Sequence, residues 1–107
     1  MTSKEENITG RIVKTIRSME SNAEVILFGS HARGTAHSDS DWDILILLNK
    51  SKIPLQTEKE LRHSLIGIEL EIGEVISAFI YSKYDWQHKF NITPFYRNVI
   101  KEGKNLA

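Results

Sequence analysis

The sequence predicts an α/β (α+β) domain in which helices pack on one face of a small mixed sheet of three or four strands. Two apolar segments, Ala23–Phe28 and Trp42–Leu48, are rich in residues that favour strands. A helical spacing of apolar residues precedes them and a second follows. Because 107 residues can bury one core, we expect a single domain over residues 1–107.

The N-terminal segment predicts an amphipathic helix. Ile8, Ile12, Ile16 and Met19 recur at the spacing that places side chains on one helix face. Ser21-Asn22 is expected to end this helix before the first strand. The second strand, Trp42–Leu48, is almost entirely apolar, which is typical of a central strand covered on both sides.

The middle of the chain predicts a second long helix and a third strand. Thr57 and Glu60 have the spacing of a capping box, so we expect the helix to begin there. The pattern changes towards alternation after Ile68, and a strand is expected at about Val75–Tyr81. The residues predicted to face inward from the helix are Leu61, Leu65 and Ile68.

The C-terminal segment predicts two short helices. Ser82 with Asp85 suits the start of the first, and Thr93-Pro94 suits the start of a second that ends at Gly103. This segment is rich in aromatic residues, which we interpret as a lid on the core; contact with a partner protein is the alternative. The aromatic residues are Tyr84, Trp86, Phe90, Phe95 and Tyr96.

Two carboxylates mark the start of the second strand. Side chains alternate along a strand, so Asp41 and Asp43 share one face and Trp42 points to the other. They would lie about 6–7 Å apart along the strand. Oxygen ligands of this kind suit Mg²⁺ or Mn²⁺. A solvated acidic pair without a metal is the alternative.

The turn after the first strand is suited to an anion. Gly29 allows close backbone approach, Ser30 adds a hydroxyl, and the following residues can begin a helix whose free N–H groups attract phosphate. Arg33 supplies a planar cation. An ordinary turn and a surface charge are the alternatives. His31 and His37 flank this loop and could contact a nucleotide, although exposure in a loop would also explain them.

These residues together resemble the minimal nucleotidyltransferases of the DNA polymerase beta superfamily. The resemblance rests on Phe28-Gly29-Ser30-His31-Ala32-Arg33-Gly34, followed by Ser38-Asp39-Ser40-Asp41-Trp42-Asp43-Ile44. It is close in the first half of the chain and extends to the second half only in general layout. It implies a polymerase-beta-like nucleotidyltransferase fold.

The resemblance also implies a third carboxylate on the next strand, close to the first two. The candidates are Glu74, assigned as the catalytic base, and the less well placed Glu71. Neither matches the usual mid-strand aspartate, and Ser77 offers only a hydroxyl. The expected metal and nucleotide binding do not depend on this third carboxylate, whereas catalytic transfer does.

By the same resemblance, the expected activity is transfer of a nucleoside monophosphate, AMP from ATP, to a hydroxyl. Asp41 and Asp43 would hold Mg²⁺ or Mn²⁺, Gly29 and Ser30 would bind phosphates, and Arg33 would offset phosphate charge. Small proteins of this kind resemble antitoxins that adenylylate a tyrosine of a HEPN-type toxin. The alternative is a catalytically silent module that binds nucleotide or occludes its partner.

Composition excludes several other classes. The 14 basic and 14 acidic residues balance, which argues against an extended nucleic-acid surface. The absence of cysteine excludes disulfides and thiolate chemistry and, with no long apolar run, leads us to expect a cytoplasmic protein without membrane segments. The oligomeric state stays open, a homo-oligomer included.

Overall fold

The computed structural model describes all residues from Met1 to Ala107. It contains five helices and four strands. None of the helices combines the length and apolar composition that crossing a membrane requires. In chain order the elements are α1 (Ser3–Met19), β1 (Glu24–Phe28), α2 (Gly29–Arg33), β2 (Trp42–Leu48), α3 (Leu55–Ile72), β3 (Ile76–Ser82), α4 (Lys83–His88), α5 (Pro94–Glu102) and β4 (Lys104–Asn105).

The four strands form one mixed sheet in the order β3-β2-β1-β4. β1 pairs antiparallel with β2 and with β4, whereas β2 and β3 run parallel. The parallel pair requires a crossover, which α3 provides. The mixed sheet predicted from the sequence is therefore confirmed, although the two-residue edge strand β4 carried no signal of its own.

Helices cover both faces of the sheet, so the prediction of helices on one face was wrong. The even-numbered side chains of β2, such as Ile44 and Ile46, belong to the larger core together with residues of α1 and α3. Leu45 and Leu47 point the other way and pack with Trp86 of α4 and with Val99 of α5. The nearly continuous apolar run of β2 reflects this burial on both sides.

The first helix begins earlier than its apolar pattern indicated. Thr2 and Glu5 form a capping box ahead of α1, which satisfies backbone N–H groups at the helix start. Ile8, Ile12 and Ile16 are buried as predicted.

The start of α3 differs from the prediction. The helix begins at Leu55, directly after Pro54, so Thr57 lies inside the first turn and does not cap it. Gly73 ends the helix in the left-handed conformation. The three predicted inward residues of this helix are buried: Leu61, Leu65 and Ile68.

The C-terminal helices form as the sequence indicated. The Ser82 hydroxyl accepts a hydrogen bond from the Asp85 N–H, and the Thr93 hydroxyl accepts one from the Tyr96 N–H. The Trp86 ring lies 5.4 Å from the Phe95 ring, measured between centroids. The interpretation of this segment as an aromatic lid therefore agrees with the packing.

Candidate active site

Asp41 and Asp43 lie at the start of β2, on the face opposite to Trp42. Asp41 is exposed just before the strand, and Asp43, the second residue of the strand, is half-buried. The Ser77 hydroxyl of β3 donates a hydrogen bond of 3.1 Å to Asp41 Oδ2. Ser77 is also the residue paired with Asp43 in the parallel register, so the three side chains form one polar group at the sheet end.

The surroundings of Asp43 disfavour its negative charge. Partial burial raises the pKa of Asp43 above its ordinary value, and the nearby Asp41 carboxylate raises it further. His31 and Arg33 act in the opposite direction and lower it. A cation between the two carboxylates would remove their repulsion, which is the electrostatic condition for a metal site.

Gly29 connects β1 directly to this carboxylate pair. The preceding residue, Phe28, pairs with Asp43 in the antiparallel register. Gly29 has φ of +74°, and a Cβ atom at this position would overlap Asp43 Oδ2. Only glycine therefore allows the chain to turn against the carboxylate.

The predicted phosphate-binding residues lie in α2, which begins at Gly29. No side chain caps the N-terminus of this short helix, so its first N–H groups face no competing side-chain acceptor. The Ser30 carbonyl accepts hydrogen bonds from the N–H groups of Gly34 and Thr35. Backbone hydrogen bonds therefore stabilise this turn. The half-buried Ser30 side chain lies at the start of the turn.

Arg33 is engaged with the C-terminal helix. Its Nη1 lies 3.0 Å from Glu102 Oε2 of α5, and the arginine side chain is 45% exposed. The guanidinium group has five N–H donors, so it can keep this contact and still bind a phosphate. Its positive charge lowers the pKa of the Asp43 carboxyl group.

The structure does not bring Glu74 to the aspartates, and this corrects its assignment as the base. Glu74 Oε1 accepts a 3.2 Å hydrogen bond from Trp42 Nε1, and Glu74 Oε2 lies 3.5 Å from Lys4 Nζ. Because Trp42 points away from the face of Asp43, its partner Glu74 lies on that opposite side. Glu71, the other candidate, forms an ion pair with Arg11.

His31 is a residue whose place the sequence reasoning missed. It is 7% exposed and stacks on the Trp42 indole, with ring centroids 3.6 Å apart and planes 10° from parallel. Its Nδ1 lies 3.5 Å from Glu5 Oε2, and its buried Nε2 has no hydrogen-bond partner. In the structure α2 begins directly after β1, with no loop residue between them. His31 is therefore part of a packed helix and not of an exposed loop.

The donor set fits a divalent ion that arrives with a nucleotide. No group of three His, Cys, Asp or Glu side chains converges on a metal position. Two carboxylates and the neighbouring Ser77 hydroxyl are hard oxygen donors. Mg²⁺ is commonly held by one or two carboxylates together with substrate phosphates, so Asp41 and Asp43 suffice for such a site.

Comparisons with known proteins agree with this geometry. The model of the nucleotidyltransferase domain family matches residues 10–104. A protein of Methanocaldococcus jannaschii, provisionally named a protein adenylyltransferase, is 37% identical over 83 residues. That alignment covers 78% of this chain and 76% of the relative.

Two groups of solved structures share the fold. A toxin–antitoxin crystal structure with AMP-PNP superposes with a TM-score of 0.63 at 23% identity, over 92% of this chain and 72% of that one. A structure provisionally described as a minimal nucleotidyltransferase gives a TM-score of 0.60 at 22% identity, over 96% and 93% of the two chains. With the family match and the 37% identical relative, the chain belongs to the nucleotidyltransferase domain family and is an enzyme of that class.

Proposed function

We propose that this protein transfers AMP from ATP to a hydroxyl group of a partner protein. The observation that carries the proposal is the contact of the Gly29 turn with Asp43, which sets a phosphate-binding segment against a carboxylate pair. The 37% identical relative provisionally named a protein adenylyltransferase supports protein as the acceptor. The shared fold with a toxin–antitoxin structure supports an antitoxin role. The proposed acceptor is a tyrosine of a HEPN-type toxin.

In this proposal each residue of the site has a binding role. Asp41 and Asp43 would hold Mg²⁺, or Mn²⁺ in its place. When bound, the metal supplies positive charge at the phosphates. Gly29 and Ser30 would bind the β- and γ-phosphates through the start of α2, and Arg33 would offset the charge of the leaving group.

The proposed chemistry is an in-line displacement at the α-phosphorus of ATP. The acceptor oxygen forms a bond to this phosphorus as the bond to the β-phosphate oxygen breaks, and pyrophosphate leaves. The proton of the acceptor hydroxyl passes to solvent.

The test is label transfer from α-labelled ATP with Mg²⁺ to proteins that co-purify with this chain. We expect one labelled partner band that disappears when both Asp41→Asn and Asp43→Asn are introduced. Asp39→Asn is the matched control, because Asp39 is an exposed carboxylate of the same loop. Absence of label with the partner still bound would contradict the proposal.

A second candidate function is neutralisation of the partner by occlusion alone, with or without bound nucleotide. The specific observation in its favour is Ser77, which faces Asp43 where the resemblance implies a third carboxylate. In this case the double aspartate variant would still neutralise the partner, whereas the transferase proposal predicts loss of neutralisation together with loss of label.

A further inference from the structure

Trp42 occupies the position between the two aspartates and is held from three sides. Its side chain is 1% exposed. The indole stacks on His31 of α2, and its Nε1–H donates to Glu74, which lies between α3 and β3. Its backbone N–H donates a 2.9 Å hydrogen bond to the Val75 carbonyl. The strand that carries the carboxylates is therefore anchored through the residue between them.

These contacts connect the separate parts of the site. His31 follows Gly29 and Ser30 in the same short helix, so the stack joins the phosphate-binding segment to β2. Glu74 precedes β3, which carries Ser77. The indole thus contacts the helix that begins at Gly29, and it lies on the face of β2 opposite to the carboxylate pair.

We propose that Glu74 and His31 are positioning residues that hold Trp42 and thereby fix Asp41 and Asp43 relative to the phosphate-binding segment. This inference rests on the proposed function for its catalytic consequence. Metal ligands must be held within about 0.5 Å of their productive geometry. Residues behind the ligands supply this restraint, and changing them commonly costs 10–100-fold in metal affinity or activity.

The contacts of Glu74 distinguish positioning from proton transfer. One carboxylate oxygen accepts the indole N–H, and the other faces Lys4, whose side chain is 77% exposed. A glutamine keeps an oxygen that can accept the indole hydrogen bond but cannot take a proton at neutral pH. A positioning role therefore tolerates Glu74→Gln, whereas a role as base does not.

The experiment compares Glu74→Gln, Glu74→Ala, Trp42→Phe and the Trp42→Phe, Glu74→Ala double variant. Affinity for Mn²⁺ with a non-hydrolysable ATP analogue is measured by electron paramagnetic resonance, and kcat by label transfer. We expect Glu74→Ala to lose on the order of tenfold in both, and Glu74→Gln to stay within about twofold of the parent. Trp42→Phe should remove the effect of Glu74→Ala, because the donor is then absent.

Three further variants separate positioning from general loss of folding. Lys4→Ala breaks only the ion pair of Glu74 and should leave Mn²⁺ affinity unchanged. His31→Phe keeps an aromatic ring against the indole and should retain Mn²⁺ affinity and transfer, whereas His31→Ala should lose both by about the same factor as Glu74→Ala. Thermal unfolding of every variant checks that the fold persists.

Two results would overturn the inference. One is equal impairment of Glu74→Gln and Glu74→Ala together with loss of a limb from the pH–rate profile, which would make Glu74 a proton carrier. The other is that Glu74→Ala lowers Mn²⁺ affinity and kcat as much in the Trp42→Phe background as in the parent.

The indole ¹H–¹⁵N resonance of Trp42, assigned by its loss in Trp42→Phe, should shift in Glu74→Ala and not in Glu74→Gln. This measurement and Mn²⁺ affinity test the inference even if the parent transfers no label.

Discussion

The backbone of Gly29 lies directly against the carboxylate of Asp43. A Cβ atom on Gly29 would overlap Asp43 Oδ2, and the glycine has a positive φ of +74°. The phosphate-binding segment and the carboxylate pair are therefore in contact through a residue without a side chain. This contact explains why the turn after β1 requires glycine.

Gly29→Ala should weaken Mn²⁺ binding in addition to straining the backbone. Gly73→Ala is the matched control, because Gly73 has φ of +70° and open space around it. Both changes should lower the free energy of unfolding by about 1–2 kcal/mol, measured by urea denaturation. Only Gly29→Ala should also weaken Mn²⁺ affinity, because it displaces Asp43. Equal Mn²⁺ affinity in the two variants would contradict this explanation.

Removal of either charge of the aspartate pair should abolish transfer without unfolding the protein. Asp41→Asn and Asp43→Asn are each expected to lower kcat by at least about 100-fold. The metal ion that these carboxylates would hold stabilises phosphate charge in the transition state by several kcal/mol. Asp39→Asn should stay near the parent, since Asp39 is exposed in the loop before the pair. Label transfer and circular dichroism together check the prediction. Full transfer by both site variants would exclude the pair from catalysis.

Asp43 should destabilise the metal-free protein at neutral pH. Its pKa is raised above 3.8 in the native state by partial burial and by Asp41, so the native protein binds this proton more tightly than the unfolded chain. The resulting stabilisation is complete below the unfolded pKa and is lost as the pH rises through the native pKa.

Asp43→Asn should therefore raise Tm at pH 7 in the presence of a chelator. The gain in Tm should shrink as the pH falls through the raised native pKa of Asp43, and it should be lost below the ordinary aspartate pKa of about 4. Mn²⁺ should raise Tm of the parent and have little effect on this variant. Thermal unfolding between pH 3 and pH 8 measures both effects. A gain in Tm that is the same at every pH would contradict this explanation and would indicate a change in packing.

Ser77 provides a position for a third carboxylate. It faces Asp43 in the parallel register and donates to Asp41. Ser77→Asp should raise Mn²⁺ affinity on the order of tenfold because a further charged ligand is added, and it should lower Tm in a chelator through repulsion. Ser77→Asn, of similar size and without charge, is the control. Equal Mn²⁺ affinity of the two variants would mean that residue 77 does not face the metal.

The predictions that held depend on short-range patterns. The spacing of Ile8, Ile12 and Ile16 specifies a buried helix face, and the apolar run of β2 specifies a central strand. Alternation along β2 also placed Asp41 and Asp43 on one face without knowledge of the rest of the fold. Each of these inferences needs only the geometry of a single element.

The errors concern relations between elements. Thr57 has a capping-box partner in sequence, yet α3 begins at Leu55 because Pro54 sets the start. The two faces of the sheet are covered by different helices, which the helical pattern of each could not reveal. The position of β4 depends on pairing with β1 and not on its own two residues.

The sequence by itself determined the elements of the first half of the chain, the shared face of Asp41 and Asp43, and the glycine turn before them. Only the tertiary structure decided that Glu74 binds Trp42, that His31 is buried, and that Ser77 faces Asp43. The physical reason is that periodicity along one element orients its own side chains. The partners of those side chains follow from the register of a parallel strand pair and from helix packing, which join residues distant in sequence.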